Sequence, residues 1–174
     1  MNFRNLIYFV FLVTILALVQ ILFLKNLALF GVAYCFIYII AILSFPVNIR
    51  HFPLILISFG IGLIIDVFYD TLGLNASAAT LLAFLRPYWI KSISPNGGYD
   101  ESTKPTLHDM GIGWFISYSL PLAFAFSLAF FIADQWGTGG LFGVFNKSLF
   151  SSIFTVLMAI IVQLLFFKRK RGIQ

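Results

Sequence analysis

The chain has few charged residues and a single cysteine. Of its 174 residues, 10% are charged and only six are acidic. Cys35, the single cysteine, can form neither a disulfide within the chain nor a cysteine-based metal cluster. The sequence also contains no Gly-x-Ser-x-Gly, His-Glu-x-x-His or phosphate-binding glycine loop. A soluble enzyme therefore has no support, and we expect no catalytic residue, no cofactor and no metal site.

Apolar residues are abundant instead. They make up 61% of the chain, and the mean hydropathy is +1.01. A soluble fold of this size cannot bury so much apolar surface. A helix that crosses the ~30 Å hydrocarbon core of a bilayer needs about 20 apolar residues, because the backbone must satisfy its own hydrogen bonds there. The composition therefore predicts an integral membrane protein.

Six segments are apolar enough to cross a membrane. They predict one all-α transmembrane domain over residues 1–174, a bundle of six helices. The first is interpreted as a retained helix, because its apolar run extends to Leu24 and is too long for a cleaved signal. The fourth contains Arg86, whose side chain we expect to reach the headgroups. Residues 91–111 and 134–147 are interpreted as a flexible loop and an interfacial loop. The predicted spans are residues 6–24, 27–45, 53–69, 76–90, 113–133 and 149–167.

The basic residues are distributed unequally between the two predicted sides. Nine of the eleven Lys and Arg residues, including the terminal run 168–171, fall on the side that carries both termini, and Lys25 and Lys147 fall on the other. Cytoplasmic flanks of membrane proteins carry this excess. The distribution predicts that both termini are cytoplasmic, and it explains the net charge of +5 without a nucleic-acid partner.

An aspartate inside the third segment is the sharpest local feature. Asp66 lies thirteen residues into that segment, which at the helical rise is roughly 20 Å along it. Because an ionised aspartate in hydrocarbon costs about 2.5 to 3.5 kcal/mol, it needs hydrogen-bond donors or a proton. Two interpretations stay open: a carboxylate that binds a partner or an ion together with Asp70, and one that ties the third and fourth helices together. The nearest predicted donors are Thr71, Asn75 and Ser77.

Small residues predict close contact between the third and fourth helices. Ser58 and Gly62 are four residues apart, as are Ala79 and Ala83. Such spacing lets two helix backbones approach closely, and internal packing is favoured over an oligomer interface.

Polar residues and a proline inside other segments predict further contacts. Pro121 should kink the fifth helix, and Ser117 and Ser119 are candidates to satisfy the carbonyl that it frees. Gln20 and Gln163, inside the first and last segments, should form hydrogen bonds between helices.

The string Gly60-x-Gly62-Leu63-x-x-Asp66, followed by Gly73-Leu74-Asn75-Ala76, resembles the rod shape-determining protein MreD family. The resemblance extends over the whole chain in length, helix number and placement of the termini. It implies a non-enzymatic component of bacterial wall elongation in the cytoplasmic (inner) membrane. The candidate partner-binding or structural residues are Gly60, Gly62, Asp66, Asp70, Gly73 and Asn75.

The resemblance also implies partners. Members of that family associate with the bitopic protein MreC, and through it with the MreB filament, the polymerase RodA and a class B penicillin-binding transpeptidase; membrane lipids are the other expected contact. The family's bundle is thought to resemble the substrate-binding subunits of energy-coupling-factor vitamin transporters. A transport subunit that holds a vitamin-like ligand near Asp66 and Asp70 is therefore the alternative. Those subunits carry an Ala-x-x-x-Ala pattern in the first helix, where this chain has only Ala17.

Overall fold

The computed structural model describes residues 3–24, 28–29, 33–95, 98–99, 105–135 and 140–166. Most of them are helical, and the two short strands pair antiparallel, with Ala28 opposite Tyr34 and Leu29 opposite Ala33. A π-helical turn, Gln20–Leu24, continues the first helix. The other elements are α1 (Phe3–Val19), β1 (Ala28–Leu29), β2 (Ala33–Tyr34), α2 (Ile39–Leu43), α3 (His51–Tyr69), α4 (Leu74–Ser92), α5 (Leu107–Met110), α6 (Ile112–Asp134) and α7 (Leu141–Phe166).

Three helices in the described part of the chain are long and apolar enough to cross a membrane. They are α3, α6 and α7, which correspond to the third, fifth and sixth predicted spans. The helix α1 is apolar but shorter, and α4 carries Arg86 and Lys91 within its 19 residues. Helix length and composition thus indicate a membrane protein, and three of the six predicted spans are helices of this kind in the described residues.

The predicted second span is wrong as a continuous helix. Within residues 27–45 the structure has the two short strands, an extended stretch and the five-residue helix α2. Residues 35–45 are all buried, so this stretch lies inside the protein and its surroundings satisfy its backbone. Hydropathy cannot separate a buried apolar run from a lipid-facing helix.

Two predicted loops are also partly wrong. The helix α7 begins at Leu141, so seven residues that were expected in an interfacial loop form its first two turns. In the polar stretch after α4, Thr106 caps α5 by accepting a hydrogen bond from the Asp109 amide, at 3.3 Å. The Gln163 side chain in α7 accepts from the Leu107 amide at 2.6 Å, as a contact between segments. The basic run 168–171 lies outside the described residues.

The packing of α3 against α4 confirms the prediction made from the small residues. A Cβ atom on Gly62 would lie 2.4 Å from the Ala76 Cα, closer than such atoms approach, so only glycine fits. Ser58, Ala79 and Ala83 are completely buried along the same contact. This close approach brings the end of α3 to the start of α4, where the candidate residues lie.

Candidate functional site

A tight turn joins α3 to α4. The helix α3 ends at Asp70, which has the left-handed φ of 56°, and α4 begins after Gly73, with a φ of 85°. Glycine adopts this conformation without a steric cost, whereas aspartate does so less readily. The amides of Asp70 and Thr71 both donate to the Asp66 carbonyl, which closes the end of α3.

The Asp66 side chain closes the start of α4. Its carboxylate accepts from the backbone amides of Asn75 at 2.9 Å and Ala76 at 2.8 Å, two amides that lack partners within the helix. It also accepts from the Thr71 hydroxyl and from the Asn75 side-chain amide at 3.1 Å. The positive end of the α4 dipole favours a negative charge there. A carboxylate that is only 4% exposed thus has four donors.

The predicted donors are right for two residues and wrong for the third. Thr71 and Asn75 both donate to Asp66. The Ser77 hydroxyl instead donates to the Leu74 carbonyl at 2.9 Å, because it lies on the exposed side of α4. Asp66 holds α3 and α4 together, which is the structural interpretation left open by the sequence.

The hydrogen-bonded junction extends into the buried stretch before α2. The Tyr38 hydroxyl donates to the Asn75 side-chain oxygen at 3.0 Å. The side-chain nitrogen of Asn75 also donates to the Thr71 hydroxyl, at 3.2 Å. Tyr38 is almost completely buried. Asn75 therefore connects the turn and the start of α4 to residues 34–38, which we call the core segment.

The structure brings most of the sequence-predicted residues together but separates two of them. Gly62, Asp66, Gly73 and Asn75 meet at the junction. Gly60 lies on the outer face of α3, where an added Cβ would touch nothing, and the Asp70 residue is exposed. An open depression of about 460 Å³ covers the junction, lined by Leu63, Asp66, Val67, Asp70, Thr71, Leu72 and Gly73.

A second polar cluster satisfies the extended backbone of residues 34–37. The Gln20 side chain donates to the Cys35 carbonyl at 2.9 Å and accepts from the Ile37 amide at 2.8 Å. On the other side of the backbone, two α7 hydroxyls accept from the amides of the alternate residues. Ser151 accepts from the Tyr34 amide, and Thr155 accepts from the Phe36 amide. The alternation of sides is that of a β-strand. These hydrogen bonds pair non-helical backbone inside an apolar core, where water is not available to do so.

Sequence reasoning identified Gln20 as a hydrogen-bonding residue but missed the α7 hydroxyls. The signal was present, since four hydroxyl residues recur at helical spacing in an otherwise apolar segment and so share one face. All four are buried. They are Ser148, Ser151, Ser152 and Thr155.

Arg86 does not reach the headgroups, contrary to the prediction. Arg86 is completely buried. Its guanidinium binds carbonyls that are left free at the end of α2, and these hydrogen bonds stabilise the buried charge. It donates to the carbonyls of Phe45 and, at 3.4 Å, of Leu43, and to the Tyr118 hydroxyl at 2.7 Å. Tyr118 in turn donates to the Leu43 carbonyl at 2.9 Å. A buried cation thus holds the end of α2 to α4 and α6.

The carbonyl that Pro121 leaves free is paired differently from the prediction. Pro121 leaves the Ser117 carbonyl without its helical partner, and the Trp89 indole of α4 donates to it at 3.0 Å. The Ser119 hydroxyl donates to the Phe115 carbonyl instead. The indole joins α4 to α6 at this point.

The described residues include no group of three His, Cys, Asp or Glu side chains placed to hold a metal ion. No protein-family model, no curated protein and no solved structure matches this chain.

Proposed function

We propose that this chain is a non-enzymatic scaffold of the bacterial elongation machinery, as its resemblance to the MreD family implies. The observation that carries the proposal is the state of Asp66. Its carboxylate receives four hydrogen bonds from the turn and from α4, so the most distinctive group of the motif holds two helices in a fixed arrangement. A fixed helix pair with an apolar outer face suits a protein that works by packing against a partner.

The proposed partner is MreC, bound within the cytoplasmic membrane through apolar packing and hydrogen bonds. Through MreC the chain would connect to MreB, RodA and a class B penicillin-binding transpeptidase, and so support lateral peptidoglycan synthesis and rod shape. Both termini would face the cytoplasm.

Co-purification tests this proposal directly. Tagged chain and the MreC of the same organism are co-expressed, extracted in mild detergent and isolated on the tag, and we expect MreC to be retained at a fixed ratio. An unrelated bitopic protein expressed to the same level is the control and should be lost. Absence of MreC from a sample that elutes as a single folded species would contradict the scaffold function.

The depression beside Asp66, Asp70 and Thr71 supports the second candidate, a transport subunit for a vitamin-like ligand. Two observations weigh against it. The depression is open, whereas ligand sites usually enclose most of the ligand. The interior of the helix group is filled by residues 35–45 of the chain itself. A vitamin detected by mass spectrometry in the purified, denatured protein would favour transport over the scaffold.

A further inference from the structure

A second concave surface, distinct from the junction, lies between α4 and α6. Its walls are apolar, and its volume is about 350 Å³. The Trp89 ring is fixed as one wall by the hydrogen bond to the Ser117 carbonyl, and Pro121 of α6 is part of the opposite wall. We call it the α4–α6 groove, lined by Leu85, Tyr88, Trp89, Pro121, Leu122 and Ala125.

Two exposed basic residues lie close in sequence to residues at one end of the α4–α6 groove. Lys91 is exposed one turn beyond Tyr88, and the Tyr88 ring centroid lies 6.1 Å from that of His51 at the start of α3. Arg50, the residue before His51, is exposed as well. Neither Arg50 nor Lys91 forms an ion pair with an acidic side chain in the described part of the chain. This end of the groove therefore presents positive charge that is not neutralised there.

Tyr88 links the cations to the apolar groove. Its side chain is 60% exposed, and its hydroxyl makes no hydrogen bond with another described residue. The Lys and Arg count predicts that this end faces the cytoplasm, where anionic headgroups attract basic residues. Among the described residues, the mouth of this apolar groove has a hydroxyl without a hydrogen-bond partner and two cations without an acidic partner. This arrangement is complementary to a molecule with a hydrocarbon chain and an anionic head.

We propose that the α4–α6 groove binds an anionic phospholipid. One acyl chain lies along the groove against Trp89 and Pro121, and the phosphate lies near Lys91 and Arg50, within reach of the Tyr88 hydroxyl. The acyl chain supplies contact area, and the cations supply the preference for an anionic headgroup. The site is separate from the junction at Asp66, so it stands whether or not the chain binds MreC.

Native mass spectrometry of the intact protein in detergent tests the headgroup preference. The chain is delipidated, then titrated with dioleoyl phosphatidylglycerol or with dioleoyl phosphatidylcholine, which share the same acyl chains. Each basic residue near a membrane surface strengthens the attraction of an anionic lipid about fivefold, so two cations predict a clear preference for phosphatidylglycerol. Equal retention of the two lipids would overturn the proposal.

Charge variants test the two cations. The double variant Arg50→Ala, Lys91→Ala should lose the preference for phosphatidylglycerol while it still retains phosphatidylcholine. Lys147→Ala removes a cation from α7, away from the groove, and should keep the preference. An unchanged preference in the double variant, or an equal loss in Lys147→Ala, would show that the cations at the groove are not the headgroup site.

A bulky variant tests the groove itself. Ala125→Phe fills the groove and should lower retention of both lipids several-fold, whereas Ile132→Phe, exposed on α6 outside the groove, should not. Circular dichroism checks that both variants fold. If Ala125→Phe does not fold, competition on the unmodified chain decides: sn-glycerol 3-phosphate, which has no acyl chain, should fail to displace phosphatidylglycerol, and effective displacement would refute a groove-bound chain.

Discussion

At the residue scale, two buried ionisable side chains each lie at a helix end that has unpaired backbone groups. Asp66 accepts from the free amides at the start of α4, and Arg86 donates to the free carbonyls at the end of α2. Each therefore receives backbone partners of the opposite polarity, in place of an oppositely charged side chain. Charge inside an apolar protein is here stabilised by the ends of helices.

The first prediction concerns the Asp66 carboxylate. Asp66→Asn replaces one acceptor oxygen by an NH2 group. Because a backbone amide that donates faces this position, two donors would then meet without an acceptor. We expect a loss of about 1–3 kcal/mol in unfolding free energy. Equilibrium unfolding in mixed detergent micelles measures it. Asp70→Asn, at the exposed position one turn away, is the matched control and should unfold as the unmodified chain does. Equal stability of the two variants would show that the cap does not hold the helices.

The second prediction concerns the Arg86 guanidinium. Arg86→Lys keeps the charge but has no planar fork of donors, so it cannot reach both Tyr118 and the carbonyls after α2. We expect a loss of about 1.5–3 kcal/mol, the range for hydrogen bonds to a charged group. The same unfolding assay measures the loss, with Lys91→Arg as the exposed counterpart. Full stability of Arg86→Lys would mean that charge alone is sufficient at this site.

At the element scale, two structural units are held by different means. The pair α3 and α4 packs through small residues and is closed by the Asp66 cap. The core segment has little regular structure, and side chains from the π-helical turn and from α7 pair with its backbone. A substitution in the helix pair should therefore change the unfolding midpoint, and a substitution at the core segment should change the accessibility of Cys35.

The third prediction compares the two glycines of α3. Gly62→Ala places a methyl group on the Ala76 backbone, and such overpacking typically costs about 1–3 kcal/mol. Gly60→Ala adds the same methyl group where nothing lies within 4 Å, and it should be neutral or slightly stabilising, because alanine favours the helix. Thermal unfolding of both variants measures the difference. The prediction fails if the two substitutions shift the midpoint equally.

The fourth prediction uses the single cysteine as a reporter of the core segment. Thr155→Val keeps the side-chain shape but leaves the Phe36 amide without its acceptor, which should cost about 1–3 kcal/mol and open the segment more often. Cys35, 2% exposed, should then react faster with a maleimide. Thr14→Val removes an exposed hydroxyl from α1 and serves as the control. Unchanged labelling in Thr155→Val would show that the hydroxyl does not hold the segment.

At the scale of the whole molecule, apolar composition was sufficient to predict a membrane protein and the positions of α3, α6 and α7. The small residues near Gly62 predicted the packing of α3 and α4, because spacing on a helix fixes which side chains share a face. Two of the three residues that donate to Asp66, Thr71 and Asn75, were also predicted, since they follow within ten residues of the carboxylate. Local sequence is sufficient where the contact itself is local.

The parts that sequence reasoning missed depend on residues far apart in the chain. Residues 27–45 are as apolar as a spanning helix, and the side chains that pair with the non-helical backbone inside this stretch, Gln20 and the α7 hydroxyls, lie outside it. Arg86 likewise seemed to lie near a helix end, whereas its partners come from a segment about 40 residues earlier. Such partners are not visible in hydropathy or in helical spacing.

The extended core segment has a consequence for the order in which the protein is made. Its amides at Tyr34 and Phe36 bind hydroxyls that lie 117 and 119 residues later in the chain. Ribosomal synthesis runs from the N-terminus, so these acceptors emerge from the ribosome more than a hundred residues after the amides that they bind. The segment thus lacks these native partners while α3, α4 and α6 are synthesised, and α7 supplies them afterwards.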